Sequence, residues 1–267
     1  IARVGADATY LANRLPVRQF ASGDHTRRDE LLADFALFVG QKTLYDQLRL
    51  LDLEGRETIR INLAGDGPTT VPDDDLQNKS DRYYFRKAKE LRPGELLVSE
   101  FDLNLEHGSI ETPLKPVIRF VAPVLDDANQ ITGFLVLNYL GASLLDELAG
   151  HSLPGYTILL RCDSHYIHAP DSDDAWGWLL DHNRTFASQF PQEWETLEQL
   201  EAPRLTDRGL FAARTIPVGC IDVLEQDPQR QSAASPRAES PADRCESITI
   251  VSYVPRVEVY AASNELL

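Results

Sequence analysis

The strongest constraint on the fold is the alternation in residues 117–139. Ile118, Phe120, Ala122 and Val124 share one parity, and Val117, Arg119, Val121 and Pro123 the other, which predicts a half-buried strand from Val117 to Leu125. Asp126-Asp127-Ala128-Asn129 is a turn by composition. Beyond it Phe134, Val136 and Asn138 alternate with Leu135, Leu137 and Tyr139. If Leu125 pairs with Gln130 across this turn, Arg119 lies opposite Val136 and one diagonal step from Asn138 on the same face; a one-residue slip would separate them. An arginine on a valine face costs several kcal/mol unless partnered. Asp102, Glu106, Glu111 and a bound ligand are the candidate partners, and an internal salt bridge is the competing structural reading.

Asp81 to Ala88 reads as a short helix with Ser80 as N-cap and Tyr84, Ala88 and Leu91 facing inward. Arg82 falls in its first turn, where the helix dipole disfavours a cation. That placement suits either an external anion or a guanidinium that snorkels to solvent.

Arg82-x-Tyr84-Phe85-x-x-Ala88 resembles the Arg-x-Trp-Tyr-x-x-Ala helix of double Cache extracytoplasmic sensor domains. Phe101-Asp102-Leu103-Asn104, Glu106-x-Gly108, Ile110-Glu111-x-Pro113, Lys115-Pro116-Val117-Ile118-Arg119 and Gly133-x-x-x-x-Asn138-Tyr139 are similar to a subgroup carried by sensor histidine kinases and diguanylate cyclases. The likeness is dense over about residues 43 to 145. It implies a ligand site built from Arg82, Tyr84, Phe85, Asp102, Asn104, Arg119 and Asn138. Two positions depart from the amino-acid-binding members, which carry Asp at the place of Asn138 and Tyr at the place of Phe85. Two arginines and a neutral amide suit a carboxylate, which guanidinium binds bidentately.

The resemblance also implies the architecture: an α+β chain with an N-terminal helix followed by two PAS-like lobes, each an antiparallel sheet flanked by helices. The expected divisions are a helical stalk over 1–42, a membrane-distal ligand-binding lobe over 43–150, a membrane-proximal lobe over 151–257, and the start of an output helix over 258–267. The implied protein is the periplasmic part of an inner-membrane signalling protein, homodimeric through its N-terminal helix and anchored by segments outside this chain. Its output would be a histidine kinase, as in a two-component system, or a diguanylate cyclase. The alternative is a structural or interaction module, without a ligand, that answers to a periplasmic partner protein.

A length of 267 residues is enough for two cores. A net charge of -16 argues against nucleic acid as a partner and gives no hold on anionic lipid. No run reaches the roughly 18 to 20 apolar residues of a membrane span. The chain begins at Ile1 and contains no Met, as expected of an excised fragment.

There is no Gly-x-Ser-x-Gly elbow, no His-Glu-x-x-His, no CxxC and no dinucleotide fingerprint, so neither enzymatic activity nor a cofactor is expected. Cys162-Asp163-x-His165-x-x-His168 imitates a metal motif, but on a strand three-residue spacing sends the two histidines to opposite faces. No metal is expected. Cys220 and Cys245 flank a polar insert, and a bridge between them would close a loop of about 24 residues, worth roughly 3 kcal/mol.

Residues 2–18 read as one helix ended near Pro16, and a second follows Asp24 with Leu31, Phe35 and Phe38 on one face. Tyr45–Leu51 and Glu57–Leu63 form a hairpin whose second strand buries Ile59, Ile61 and Leu63. Gly141–Leu148 is a short helix, and 150–154 the expected boundary. Tyr156–Cys162, Tyr166–His168 and Ser247–Val254 read as strands, Asp173–Leu180 and Trp194–Leu200 as helices with core tryptophans. Asp222–Ser247 is too rich in Pro, Ser and charge to predict order.

Overall fold

A computed structural model describes residues 2–149, 155–197, 201–222 and 247–259. These residues form two compact units, one of 2–141 with 219–222, the other of the remainder, the chain dividing at Gly141 and Ala142. The expected boundary at 150–154 and the polar insert at 223–246 lie outside the described residues.

The first unit opens with helices α1 (Ala2–Ala12), α2 (Leu15–Ala21) and α3 (Arg28–Lys42). The single helix expected over 2–18 is two, because Pro16 opens a helix here instead of closing one; its fixed φ suits a first turn. Strands β1 (Tyr45–Leu51), β2 (Glu57–Ala64) and β3 (Gly67–Thr70) lead to α4 (Tyr83–Ala88). After it come β4 (Glu95–Val98), β5 (Asp102–Leu103), β6 (Leu105–Glu106), β7 (Ser109–Ile110), β8 (Pro116–Leu125) and β9 (Ile131–Leu140). The helix α5 (Gly141–Ala149) follows directly.

The second unit contains β10 (Tyr156–Arg161), β11 (Tyr166–His168), α6 (Gly177–Leu180), α7 (Phe186–Gln189), α8 (Pro191–Glu195), β12 (Arg204–Leu205) and β13 (Gly209–Pro217). Gly219–Asp222 forms β14, which belongs to the first unit's sheet, and Ser247–Pro255 forms β15. Residues 256–259 are helical, so the terminal helix begins two residues before the expected Glu258; its remainder lies outside the described residues.

The first sheet runs β14-β4-β8-β9-β1-β2-β3, with β5 also on β8, and the second runs β11-β10-β15-β13-β12; every pairing within them is antiparallel. Both follow one plan. The opening strand (β1 or β10) pairs with the closing strand (β9 or β15) on one side and with the next strand in sequence on the other. Two PAS-like lobes in tandem, each with its own core, are the result.

Two expectations about β8 change. Its burial is continuous from Val117 to Val124 rather than one-sided, because α1 packs on one face and α4 on the other. Its register on β9 also differs from the simple turn. A bulge between Val124 and Leu125 leaves Leu125 opposite Ile131 and brings Arg119 directly opposite Asn138. The shift from Val136 to Asn138 is two residues, so the expected face is kept.

Helix α4 starts later than expected. Arg82, with extended backbone, is itself the N-cap and makes no side-chain cap bond, while Ser80 lies outside the helix. What fixes the helix is burial: Tyr84, Phe85, Ala88 and Leu91 join Leu51, Leu97, Val121, Phe134 and Val136 in one cluster. Full burial of each large apolar side chain contributes about 1.5–3 kcal/mol. The β1–β2 turn reaches this helix's lead-in at Gly55, whose φ is +85° and where a Cβ would lie 2.8 Å from the Ser80 backbone nitrogen. Only glycine fits such a position.

In the second unit aromatic rings fill the sheet face below α7 and α8. Phe211 stacks on Tyr253 at 4.5 Å, and Phe190 meets Phe186 at 5.0 Å and Phe211 at 5.5 Å. Trp176 is buried and Trp194 packs against the same core, as their spacing predicts. The helix expected over 173–180 is interrupted because Trp176 adopts φ 64°, leaving a single 3-10 turn at Ser172–Asp174 before α6. Of the helix expected over 194–200, Trp194 and Glu195 end α8, and 198–200 lie outside the described residues.

Cys162 is disulfide-bonded, and Cys220, one end of the bridge expected to Cys245, is exposed on β14, opposite Leu97 in the first sheet. Cys245 lies outside the described residues. No helix among the described residues is long and apolar enough to cross a membrane.

Candidate functional site

Strand register builds the site. On the α4 side of the first sheet Asn62, Gln47, Asn138 and Arg119 stand directly opposite one another across β2, β1, β9 and β8. The next row on that face is Arg60, Arg49, Val136 and Val121. Polar character is therefore confined to one end of a face whose other end is the apolar cluster under α4.

Arg119 is 2% exposed. Its Nη1 donates to Asp102 Oδ1 at 2.6 Å, its Nη2 to Asn104 Oδ1 at 3.4 Å, and its guanidinium lies over the Tyr84 ring at 4.9 Å. Asp102 accepts a second bond, from the Tyr83 hydroxyl at 3.0 Å. β5 makes this possible by pairing Asp102 with Val117. Burial works against the charge on Arg119, but Asp102 and the flanking tyrosines hold its pKa above the ordinary arginine value. Burial and the same carboxylate push Tyr83 well above the usual phenol range, so it is a donor here.

Asn138 is fully buried, and its Nδ2 donates to Gln47 Oε1 at 3.0 Å. Gln47 Oε1 also takes Arg49 Nη2, and Gln47 Nε2 donates to Glu106 Oε1 at 2.9 Å. Arg49, 1% exposed, has Glu57 at 3.2 Å and donates to the Tyr84 hydroxyl at 3.3 Å. Arg60 and Arg49 are cross-strand neighbours, and like charges so placed repel. Glu106 offsets this by accepting from Arg60 at 2.8 Å, Gln77 at 2.9 Å and Asn104 at 3.1 Å. Burial pushes the Glu106 pKa up, but the bonds from Gln47 and Gln77 and the charges of Arg60 and Arg49 outweigh it and hold it well below the carboxylate range.

Lys79 donates to Gln77 at 2.7 Å and lies 3.9 Å from Glu57; burial and the Arg49 charge lower its pKa to about 8. Lys115 bridges Asp46 at 2.9 Å and Glu111 at 2.6 Å. The connected set is charge-balanced, with Arg49, Arg60, Lys79, Lys115 and Arg119 against Asp46, Glu57, Asp102, Glu106 and Glu111. An incoming anion must therefore displace an internal carboxylate or bring its charge to a further cation.

Five of the seven predicted site residues meet here: Tyr84, Asp102, Asn104, Arg119 and Asn138. Phe85 does not; it packs edge-on against Phe134 at 5.7 Å in the apolar cluster. Arg82 is half-buried at the head of α4, and among the described residues its guanidinium has no hydrogen bond or ion pair. Of the three carboxylates suggested for Arg119, Asp102 is the one in contact.

Gln47, Arg49, Glu57, Arg60, Gln77 and Lys79 were missed. Arg60 and Asn62 alternate with Ile59 and Ile61, and Gln47 and Arg49 with Leu48 and Leu50, so one polar face was legible. Only the face of Ile59, Ile61 and Leu63 is expected to be buried from the sequence, whereas Gln47, Arg49, Glu57 and Arg60 are buried as well.

Two cleft regions lie in the second unit, of about 390 Å³ and 400 Å³. In this unit His165 Nδ1 lies 3.1 Å from Asp163, and among the described residues no group of three His, Cys, Asp or Glu side chains is placed to hold a metal ion.

Residues 8–210 match the family described as bacterial histidine kinase, sensor domain. Among solved structures, a domain of a protein assigned to the sensory box/GGDEF family of Vibrio parahaemolyticus superposes with a TM-score of 0.76 at 18% identity, covering 97% of this chain and 90% of that one. The extracellular domain of a protein designated histidine kinase vpHK1S-Z8 gives 0.75 at 18%, covering 98% and 86%. The periplasmic sensory domain of the Campylobacter jejuni chemoreceptor Tlp1 gives 0.60 at 8%, covering 97% and 87%. These structural likenesses concern the fold. No curated protein matches the chain.

Proposed function

The chain belongs to the family of bacterial histidine kinase sensor domains, and from that premise we propose that its first unit senses a small carboxylate outside the cytoplasm. It is a double Cache sensor with a signalling role and no catalytic one.

One observation carries the ligand reading. Arg119 Nε and Asn138 Oδ1 are both buried, sit on residues directly opposite in register, and have no hydrogen-bond partner among the described residues. Leaving a buried donor and acceptor unmatched costs about 1–3 kcal/mol each. A carboxylate bearing a hydroxyl satisfies both, accepting from the guanidinium edge and donating to the amide oxygen. Tyr84 supplies the ring floor, and Arg82, next to Tyr83, is the cation left to meet the added charge.

Because Asp102 already holds Arg119, the ligand acts by exchange. Its carboxylate replaces Asp102, and release of β5 from β8 is the differential contact that separates the two states. The lobes over 43–150 and 151–257 serve as distal sensing and proximal relay units, the latter delivering the signal to the helix beginning at 256. Dimerisation through the N-terminal helix, membrane anchoring by segments outside this chain, a periplasmic setting and a kinase or cyclase output complete the proposal.

The 2.6 Å Arg119–Asp102 pair favours a second reading, a self-satisfied core that answers to a protein partner. Thermal-shift measurement against small hydroxycarboxylates, simple carboxylates and amines separates them. Stabilisation by a carboxylate, abolished in Arg119→Lys and Asn138→Leu, supports sensing. No shift with any carboxylate up to about 10 mM overturns it in favour of the partner reading.

A further inference from the structure

A small hairpin roofs the polar row of the first unit from outside its sheet. β6 and β7 form a two-stranded sheet of their own, pairing Leu105 with Ile110 and Glu106 with Ser109. Its base is fixed to β8: β5 pairs Asp102 with Val117 and Leu103 with Pro116, the Asn104 N–H donates to the Lys115 carbonyl at 2.8 Å, and the Glu111 N–H to the Asn104 carbonyl at 3.0 Å. Its arm ends elsewhere, for Glu106 accepts from Gln47 on β1 at 2.9 Å and from Arg60 on β2 at 2.8 Å. β9 stands between β8 and β1 in the sheet, so the arm passes over β9 on the face that carries Asn138.

The burial agrees with a roof. Arg119, Asn138 and Gln47 are 2%, 0% and 3% exposed, whereas His107, Gly108 and Ser109 at the tip of the hairpin face solvent. What holds the arm down is polar. Leu105 and Ile110 are only half-buried, so apolar adhesion is small. The fasteners are Glu106, which also accepts from Gln77 at 2.9 Å, and Lys115, which ties Asp46 on β1 to Glu111 on the arm. A segment with a backbone ladder at its base, side-chain bonds at its end and few apolar contacts is of the kind that opens locally, at less cost than unfolding the unit around it.

We propose that residues 104–115 are a lid over the candidate site with Glu106 as its latch, and that opening of this hairpin, with the large sheet intact, admits a guest to Arg119 and Asn138. That the guest is a carboxylate rests on the function proposed above; the lid does not.

Thiol labelling of the whole chain by iodoacetamide tests it without any ligand. Cys220→Ser removes the exposed thiol, a reporter is placed under the roof by Asn138→Cys or in the sheet beyond it by Val124→Cys, both buried at 0% exposure, and peptide masses identify the labelled position. The expected result is that the Asn138→Cys reporter reacts roughly tenfold or more faster than the Val124→Cys reporter, at a rate that low urea concentrations barely change, and faster again by a similar factor when Glu106→Gln is added. Should Asn138→Cys fail to fold, hydrogen exchange of the Asn104 and Glu111 amides gives the same readings, with the paired Phe120 and Leu137 as reference. Equal rates with equal urea dependence at the two positions, or a rate under the roof that Glu106→Gln leaves unchanged, would overturn the lid. The carboxylate reading is decided separately by thermal shift and can fail while the lid stands.

Discussion

Arg119 and Asn138 occupy directly opposed positions on β8 and β9, and each keeps one buried polar atom without a hydrogen bond among the described residues, Nε on the first and Oδ1 on the second. A single bulge at Val124–Leu125 creates this juxtaposition. Without it the arginine would face a different residue of β9.

Removing Arg119 strands Asp102, which is 8% exposed. Arg119→Ala is expected to cost about 3–5 kcal/mol, lowering Tm by on the order of 10 °C for a domain of this size. Asp102→Asn keeps the shape and frees the guanidinium, so it should lose less stability and bind carboxylates more tightly. Calorimetric unfolding with and without ligand checks both; tighter binding by Asp102→Asn is the outcome the exchange model requires.

Lys79 gives a pH signature at the alkaline end. Its folded pKa, about 8, is below the ordinary 10.5, so between these values the unfolded chain holds a proton that the folded one has released. Stability from this group therefore rises as pH increases from about 8 toward 10.5. Denaturant midpoints across that range should rise less in Lys79→Met than in wild type.

Glu106 acts in the opposite range. Its folded pKa is depressed, so its contribution is complete above the ordinary carboxylate value of 4.5 and is lost as pH falls below it. Glu106→Gln removes the counter-charge between Arg49 and Arg60 and is expected to cost about 2 kcal/mol at neutral pH. The gap between variant and wild type should narrow in acid. An unchanged gap at pH 3 would show that shape, and not charge, is what Glu106 supplies.

Gly55→Ala should be disproportionately damaging for a surface turn. The added Cβ meets backbone at 2.8 Å and the φ is +85°, so the loss should exceed the roughly 1 kcal/mol of conformational strain alone. Chemical denaturation measures it, and a neutral substitution would mean that the turn and α4 can separate freely.

Much of the fold was legible along the chain. The β1–β2 hairpin, the β8–β9 alternation, the inward stripe of α4 and α5 follow from local period, because side-chain direction repeats every 2.0 or 3.6 residues whatever the surroundings. Motif density also pointed to five residues that do converge. Phe85 was drawn into the set by its motif position, yet its ring has no polar atom and the apolar cluster claimed it.

What the amino-acid order determined by itself was the identity and parity of the polar groups: that Arg119 and Asn138 share a face, and that a carboxylate has to stand near. What tertiary structure alone decided was which carboxylate, which register, and that β1 and β2 present arginines inward. Those outcomes depend on residues 17 to 59 positions apart, Glu106 with Gln47 and Arg60, Arg119 with Asp102. Electrostatic pairing acts through space, and no local period encodes the distance at which a distant segment returns.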